Sequence, residues 1–156
     1  IVSRDWSSDV CSSDLIRAAG ARIKFIQDGD VAGSIMAARP NTGIDLLFGI
    51  GGTPEGVISA CAMRCLEGEI QGRLAPQSDV EREQAANNGL DLNQIYTSRD
   101  LVKSENIFLA ATGITPGELL EGIRYGEHRI HSQSIVMRST TNTVRLISTE
   151  HLRSKS

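Results

Sequence analysis

The sequence predicts an α/β protein with a mixed sheet that ends in an antiparallel hairpin. Three observations lead to this prediction. Between residues 22 and 66, strand-like and helical patterns alternate twice, which is the repeat that builds a parallel sheet through crossover connections. The apolar run IDLLFGI has the length of a strand buried on both faces. Near its end the chain alternates between apolar and polar residues in two stretches separated by TTN.

The first part of this repeat contains a helix end, a strand and a second helix. Residues 16–19 are predicted to end a helix that Gly20 stops. RIKFIQ, at 22–27, alternates in the manner of a strand, and the turn DGD follows it. Residues 31–39 are predicted to be helical up to Pro40. This order gives the first strand and crossover helix.

The second strand, at 44–50, leads through GGTPEG into a helix predicted at 57–66. Two adjacent rows of apolar residues spaced four apart define the buried face of this helix. Cys61 and Cys65 lie in one row, so we expect them to pack in the core and not to bind a metal. The third cysteine, Cys11, lies near the start of the chain, so a disulfide framework is not expected.

The rest of the chain continues to mix strands and helices. EIQGRL is a predicted strand, 78–88 a polar helix, and 97–103 a helical turn with the Thr97-x-x-Asp100 start of a capping box. IFLAATG is predicted to be a buried strand. TPGELLEGI is predicted to begin a helix with Thr115 as its N-cap. HSQSIVMRS and NTVRLIST form the predicted hairpin.

Composition and charge exclude two classes of function. The 156 residues include 16 basic and 19 acidic side chains, with a sequence pI of about 5.6, so no basic face for a nucleic-acid backbone is expected. No apolar run approaches the roughly 20 residues of a transmembrane helix, and the start of the chain does not have the pattern of a secretory signal. We therefore expect a cytoplasmic protein with neither a nucleic-acid nor a membrane partner.

The opening segment IVSRDWSSDVCSSDL differs from the rest of the chain. SSD occurs twice within eight residues, and no helical or strand period is visible. The string resembles one reading frame of a sequencing-adapter oligonucleotide, and as protein it would be a polar, disordered arm. We therefore interpret 1–15 as a non-native segment, 16–152 as the α/β domain and 153–156 as a tail. The chain is then expected to be a fragment.

Chemistry-bearing residues follow both predicted strands of the repeat. Asp28 and Asp30 stand on a loop turned by Gly29, directly after the first strand. GIGGTPEG follows the second strand. If the two strands are parallel neighbours, both loops open into the crevice at the carboxyl edge of the sheet, where open α/β folds bind ligands. The sequence therefore predicts one binding site built from these two loops.

The second loop has the features of a phosphate loop. Gly51 and Gly52 let backbone N–H groups approach an anion, and the following helix offers its N-terminus. Thr53 is the predicted N-cap, and Glu55 in the first turn suits Mg²⁺ or Mn²⁺, which take oxygen ligands. Each motif alone is generic: a DGD turn is usually a solvated loop, and the glycine-rich loop has neither the dinucleotide spacing nor the P-loop lysine.

A family resemblance covers the chain from about residue 16 to 151. GARIKFIQDGD, IDLLFGIGGTPEGV, NIFLAATGITPGELLEGIRY and IVMRSTTNTVRLI closely resemble the C-terminal half of class II fructose-1,6-bisphosphatase of the GlpX type. The resemblance implies half of an inositol-phosphatase-like layered α/β sandwich. It also implies a Mn²⁺- or Mg²⁺-dependent phosphatase of gluconeogenesis that acts on fructose 1,6-bisphosphate or, in some members, sedoheptulose 1,7-bisphosphate. The intact enzyme is expected to be a homo-oligomer.

The resemblance assigns roles to residues of both loops. Asp28 and Asp30 match the substrate-binding DGD, Gly52 matches a substrate-contacting glycine, and Glu55 matches a metal ligand. The family's other carboxylate ligands, and the threonine that positions the attacking water, lie in an N-terminal half that this sequence does not contain. No complete catalytic set is expected, so the chain alone should be inactive. The alternative is a non-catalytic module for sugar-phosphate binding or oligomerisation.

Overall fold

The computed structural model describes residues 13–26 and 29–152 and has an α/β fold, as predicted. Cys11, Gln27, Asp28 and the tail at 153–156 lie outside the described residues. The helices are α1 at 13–18, α2 (Asp30–Ala38), α3 (Thr53–Leu66), α4 (Asp79–Asn87) and α5 (Ser98–Leu101). The strands are β1 (Gln71–Gly72), β2 (Tyr96–Thr97), β3 (Phe108–Thr112), β4 (Arg124–Tyr125), β5 (Arg129–Arg138) and β6 (Thr143–Leu152).

The predicted C-terminal hairpin is confirmed, and its first strand, β5, is the central strand of the larger sheet. β5 pairs with β6 along its whole length, from Arg129↔Leu152 to Arg138↔Thr143. The other edge of β5 pairs with β3 and β4, and β1 pairs with β2 in a separate two-stranded sheet. The hairpin turn uses Asn142 in the left-handed region at φ 45°, which asparagine tolerates better than most residues.

The core lies between α3 and the inner face of this sheet. The buried cluster consists of Ile35, Ala62, Met63, Cys65, Ile107, Leu109, Leu120, Ile135 and Met137. Because side chains alternate across a strand, β3 and β5 bury one face towards α3 and turn the other outward, where Phe108 is exposed. The prediction of a strand at IFLAATG is confirmed, with burial on one face only. Cys65 packs in the core as predicted, and Cys61 packs against it.

Two predicted helix starts are also confirmed. Ser78 caps α4 because its hydroxyl oxygen accepts a hydrogen bond from the backbone N–H of Glu81 at 3.2 Å. Thr97 and Asp100 form the predicted capping box at α5, in which the Asp100 carboxylate accepts from the Thr97 backbone N–H at 2.9 Å. Residues 13–15, within the segment expected to be disordered, are helical in α1, which ends before Gly20 as predicted.

The parallel sheet predicted between residues 22 and 66 is wrong. Residues 22–26 and 44–50 carry no strand assignment, and the strand pairs among the described residues are all antiparallel. Both segments approach α2: an ideal Cβ on Gly33 would lie 3.0 Å from Ile26 Cδ1 and 3.3 Å from Leu47 Cδ1. An apolar run forms a strand only where a second strand hydrogen-bonds to its backbone. The hydrophobic pattern of these two segments does not specify such a partner, so it predicted strands that do not form.

The helix predicted to begin at Thr115 is also wrong, because residues 113–123 form a closed loop. The Ile123 backbone N–H donates to the Ile114 carbonyl at 3.0 Å and closes the loop across its base. The Glu121 backbone N–H donates to Gln133 Oε1 on β5 at 2.7 Å. These bonds engage backbone groups that a helix would pair internally. No helix in the described part of the chain combines the length and apolar character needed to cross a membrane.

Candidate functional site

A cleft of about 360 Å³ lies where α2 and α3 begin. Its lining residues are Gly29, Asp30, Val31, Gly52 and Glu55. The structure therefore brings together three of the predicted site residues, Asp30, Gly52 and Glu55, from two separate loops. Gly51 and Thr53 are not among the lining residues, and Asp28 lies outside the described residues.

The first loop positions Asp30 through the backbone conformation of Gly29. Gly29 has φ 89° and ψ 43°, the left-handed region that glycine adopts without a steric cost. Its carbonyl accepts from the Gly33 backbone N–H at 2.8 Å, so Gly29 is the N-cap of α2 and Asp30 is the first helical residue. The Asp30 side chain is half-buried at the cleft. The last residue of the DGD motif, Asp30, is therefore held at the first helical position of α2.

The second loop enters α3 one residue earlier than predicted. Gly52, not Thr53, is the N-cap: it has extended backbone at φ −68° and ψ 148°, and its carbonyl accepts from the Gly56 N–H at 3.0 Å. Thr53 already has helical backbone, so its side chain is not in the cap position. Pro54 fits the first turn because the backbone donor it lacks would have no partner there.

Glu55 lies in the first turn of α3 with its carboxylate over Gly52. An ideal Cβ on Gly52 would lie 3.1 Å from Glu55 Cδ and closer still to Oε2. The carboxylate therefore occupies the space that a side chain at position 52 would need. The positive end of the α3 dipole favours a negative charge at this position. The side chain is exposed to the cleft and free to meet a ligand.

The cleft combines donors for an anion with carboxylates for a cation. α2 and α3 both start at it, and the N-cap residue of each helix is a glycine, which has no side chain to accept from the first backbone N–H groups. Their first backbone N–H groups therefore remain available to an anion such as a phosphate. Asp30 and Glu55 offer carboxylate oxygens at the same place. Mg²⁺ is commonly held by one or two carboxylates together with substrate phosphate oxygens, so this donor set fits such an ion.

Other candidate ligands do not add to the cleft. Among the residues that the structure describes, no group of three or more His, Cys, Asp or Glu side chains is arranged to hold a metal. Burial raises the pKa of both the Cys61 and Cys65 thiols, which disfavours the thiolate form. His131 Nδ1 lies 3.6 Å from Glu150 Oε1 on the hairpin. Cys61 and Cys65 therefore have the packing role that the sequence predicted for them.

A second cavity, of about 370 Å³, was not indicated by any sequence motif. It lies at the C-terminal end of α3, and its lining includes Arg64, Glu69, Ser98 and Glu105. The Arg64 guanidinium donates to the Val102 carbonyl at 2.9 Å and to Glu105 at 2.5 Å. The Ser98 hydroxyl donates to Glu69 at 3.2 Å, so the polar groups of the cavity bond to one another between α3, α5 and the segments that follow these helices. No local pattern could have revealed it, because its members come from distant parts of the chain.

Comparison with known proteins places the chain in a family. The family model described as bacterial fructose-1,6-bisphosphatase, glpX-encoded, matches residues 1–151. The matched range includes residues 1–15. The interpretation of these residues as translated adapter sequence stays a prediction.

Three curated relatives are between 35% and 41% identical to this chain over the aligned residues. A Synechocystis protein named D-fructose 1,6-bisphosphatase class 2/sedoheptulose 1,7-bisphosphatase is 41% identical over 88% of this chain and 44% of its own length. Fructose-1,6-bisphosphatase class 2 of Haemophilus influenzae is 38% identical over 87% of this chain and 45% of its own. A Gloeobacter violaceus protein with the same name as the Synechocystis relative is 35% identical over 97% and 47%.

The chain spans less than half the length of each of these relatives. The matched part includes the two loops that form the cleft. The chain belongs to the glpX-encoded bacterial fructose-1,6-bisphosphatase family.

Proposed function

We propose that the cleft binds a sugar bisphosphate together with Mn²⁺ or Mg²⁺. The reaction is that of a phosphatase: fructose 1,6-bisphosphate and water give fructose 6-phosphate and phosphate. The observation that carries this proposal is the meeting of Asp30 and Glu55 with two helix N-termini in one cleft. The names of the relatives support fructose 1,6-bisphosphate as substrate. The names of the Synechocystis and Gloeobacter violaceus proteins also include sedoheptulose 1,7-bisphosphatase.

Each loop has its own role in this proposal. Glu55 holds the divalent ion, which when bound polarises a phosphate and lowers the pKa of a water. Asp30, and Asp28 before it in the same motif, accept hydrogen bonds from sugar hydroxyls. Backbone N–H groups at Gly52 and in the first turn of α3 bind phosphate oxygens. The absence of a side chain at Gly52 leaves room for the Glu55 carboxylate.

The chain by itself is proposed to bind ligand without turning it over. Metal-assisted hydrolysis requires an ion fixed by several ligands, and the described part of the cleft offers the carboxylates of Asp30 and Glu55. The relatives are more than twice as long as the stretch matched here. We propose that the remaining ligands belong to that additional length, and that the intact enzyme is a cytoplasmic homo-oligomer of carbohydrate metabolism.

Titration calorimetry with Mn²⁺ tests the role of Glu55. Glu55→Gln is expected to weaken Mn²⁺ binding about tenfold or more, because the amide retains the shape and loses the charge. Glu83→Gln, at an exposed position of α4, is the matched control and should leave the affinity unchanged. Mn²⁺ binding of equal strength in the wild type and Glu55→Gln would refute the assignment.

Asp30→Asn separates the two proposed roles. The variant should reduce the affinity for fructose 1,6-bisphosphate about tenfold, through the lost charged hydrogen bonds to sugar hydroxyls. Its affinity for Mn²⁺ should stay within about threefold of the wild type, since Glu55 is retained. If Asp30→Asn instead loses Mn²⁺ binding and keeps sugar binding, the assignment of the sugar to Asp30 is wrong and Asp30 is a metal ligand.

A further inference from the structure

An ion pair joins the stretch before the first cleft loop to a distant loop of the chain. The Lys24 ammonium group donates to both carboxylate oxygens of Glu118, which lies 94 residues away in the sequence. Lys24 belongs to residues 22–26, which precede Asp30 in the chain. Glu118 belongs to the closed loop at 113–123. The pair therefore connects this loop to the part of the chain that leads to the cleft.

The closed loop holds Glu118 in a tight turn. The Gly117 backbone N–H donates to the Leu120 carbonyl at 3.0 Å, so this hydrogen bond spans the position of Glu118. Leu120 is a member of the buried core. At the start of the loop, the Gly113 backbone N–H donates to the Gln133 carbonyl on β5 at 3.0 Å. Glu118 is therefore positioned by the core and by the sheet.

Residues 22–26 depend on side-chain contacts for their position. Among the residues that the structure describes, no backbone hydrogen bond ties this stretch to a strand or a helix. Ile26 packs on α2 instead, since an ideal Cβ on Gly33 would lie 3.0 Å from Ile26 Cδ1. Lys24 lies two residues earlier and bonds to Glu118. The stretch is therefore held between α2 and the closed loop.

We propose that Lys24 is a positioning residue for the sugar bisphosphate. Its ion pair with Glu118 holds residues 22–26 against α2, and α2 begins with Asp30 at the cleft. The holding of this stretch follows from the contacts themselves, whereas the effect on the sugar bisphosphate rests on the proposed function. The two side chains are 48% and 55% exposed, so the pair adds little to the free energy of unfolding. Its loss should therefore change ligand affinity more than folding.

Glu118→Gln separates positioning from simple charge attraction. By charge attraction alone, removing a negative charge from the protein would tighten the binding of an anionic ligand. If Lys24 positions Asp30, the same change should instead weaken the binding of fructose 1,6-bisphosphate about three- to fivefold, measured by calorimetry with Mn²⁺. Exchanging the two charges, Lys24→Glu with Glu118→Lys, should restore most of this affinity. Glu83→Gln, at an exposed position of α4, is the matched control and should change nothing.

NMR order parameters of the backbone amides at 24–26 test the holding without any ligand. In Glu118→Gln they should fall from about 0.85 towards 0.6, and in the variant with exchanged charges they should recover. Order parameters unchanged by Glu118→Gln, or tighter binding of fructose 1,6-bisphosphate in that variant, would overturn the proposal. A wild-type chain that does not bind fructose 1,6-bisphosphate with Mn²⁺ would count against the proposed function. The order parameters would then still decide whether Lys24 holds the stretch.

Discussion

The carboxylate of Glu55 fills the space that a side chain on Gly52 would occupy. A Cβ at Gly52 would lie 3.1 Å from Glu55 Cδ and nearer still to Oε2. The backbone of Gly52, at φ −68° and ψ 148°, is open to any residue. Glycine at this position is therefore explained by the neighbouring carboxylate and not by the backbone. The N-cap of α3 and the proposed metal ligand form one structural unit.

Gly52→Ala should displace the Glu55 carboxylate with little effect on folding. The added methyl meets the end of a flexible side chain, so the free energy of unfolding should fall by no more than about 1 kcal/mol. Mn²⁺ affinity measured by calorimetry should fall about tenfold. Gly56→Ala is the control: nothing lies within 4 Å of its Cβ, and it should raise stability by about 0.5–1 kcal/mol with Mn²⁺ affinity kept. Unchanged Mn²⁺ affinity in Gly52→Ala would contradict the coupling.

Gly122→Ala should open the loop at 113–123 and destabilise the protein. A Cβ there would lie 2.7 Å from Pro116 Cδ and closer still to the backbone of Thr115 and Pro116, which cannot move without disturbing the loop. We expect the free energy of urea-induced unfolding to fall by about 2–3 kcal/mol. In Gly117→Ala the nearest atom is the Leu120 carbonyl oxygen at 3.7 Å, an ordinary contact. Equal stabilities of the two variants would show that the loop adapts freely.

Glu69 should make the stability of the protein depend on pH. Its carboxylate accepts from the Ser98 backbone N–H at 3.2 Å and the Ile70 backbone N–H at 2.9 Å, and these bonds lower its pKa. Because the pKa of Glu69 is lower in the folded state, its ionised carboxylate stabilises the folded protein at pH values above the unfolded pKa of about 4.3. This contribution is lost as the pH falls through the folded-state pKa.

Urea unfolding of Glu69→Ala at several pH values measures this contribution. Because the carboxylate is exposed and solvent-screened, the variant should be less stable than wild type by about 1 kcal/mol or less at pH 7. The difference should shrink as the pH is lowered below about 4. Glu83→Ala, an exposed glutamate of α4, controls for the loss of a surface charge. A stability difference between wild type and Glu69→Ala that grows as the pH falls would contradict a lowered pKa of Glu69.

Features encoded by neighbouring residues were predicted well. The helix start at Ser78 and the capping box at Thr97 depend on side chains that reach a backbone group three residues away, so the local sequence is sufficient. The hairpin of β5 and β6 likewise follows from alternation on both sides of a short turn. The approach of Asp30 to Glu55 was also anticipated, although the parallel strands from which it was inferred do not pair in the described residues.

Features set by distant residues were not predicted. The segment after Thr115 has a helix-start pattern, but the backbone N–H of Glu121 donates to Gln133 Oε1 on β5. Gly122 packs against the backbone of Thr115 and Pro116. The run at 44–50 has the composition of a buried strand, but pairing requires a second strand that the local sequence does not specify. In both cases the deciding contact joins residues that no short motif connects.

The affinity for fructose 1,6-bisphosphate with and without Mn²⁺ tests the central claim most directly. If Asp30 and Glu55 hold sugar and metal in one cleft, Mn²⁺ should lower the dissociation constant of fructose 1,6-bisphosphate, measured by calorimetry, about fivefold or more. This effect should disappear in Glu55→Gln and persist in Glu83→Gln. Equal affinities with and without Mn²⁺ in the wild type would contradict the claim and favour a metal-independent sugar-phosphate-binding module.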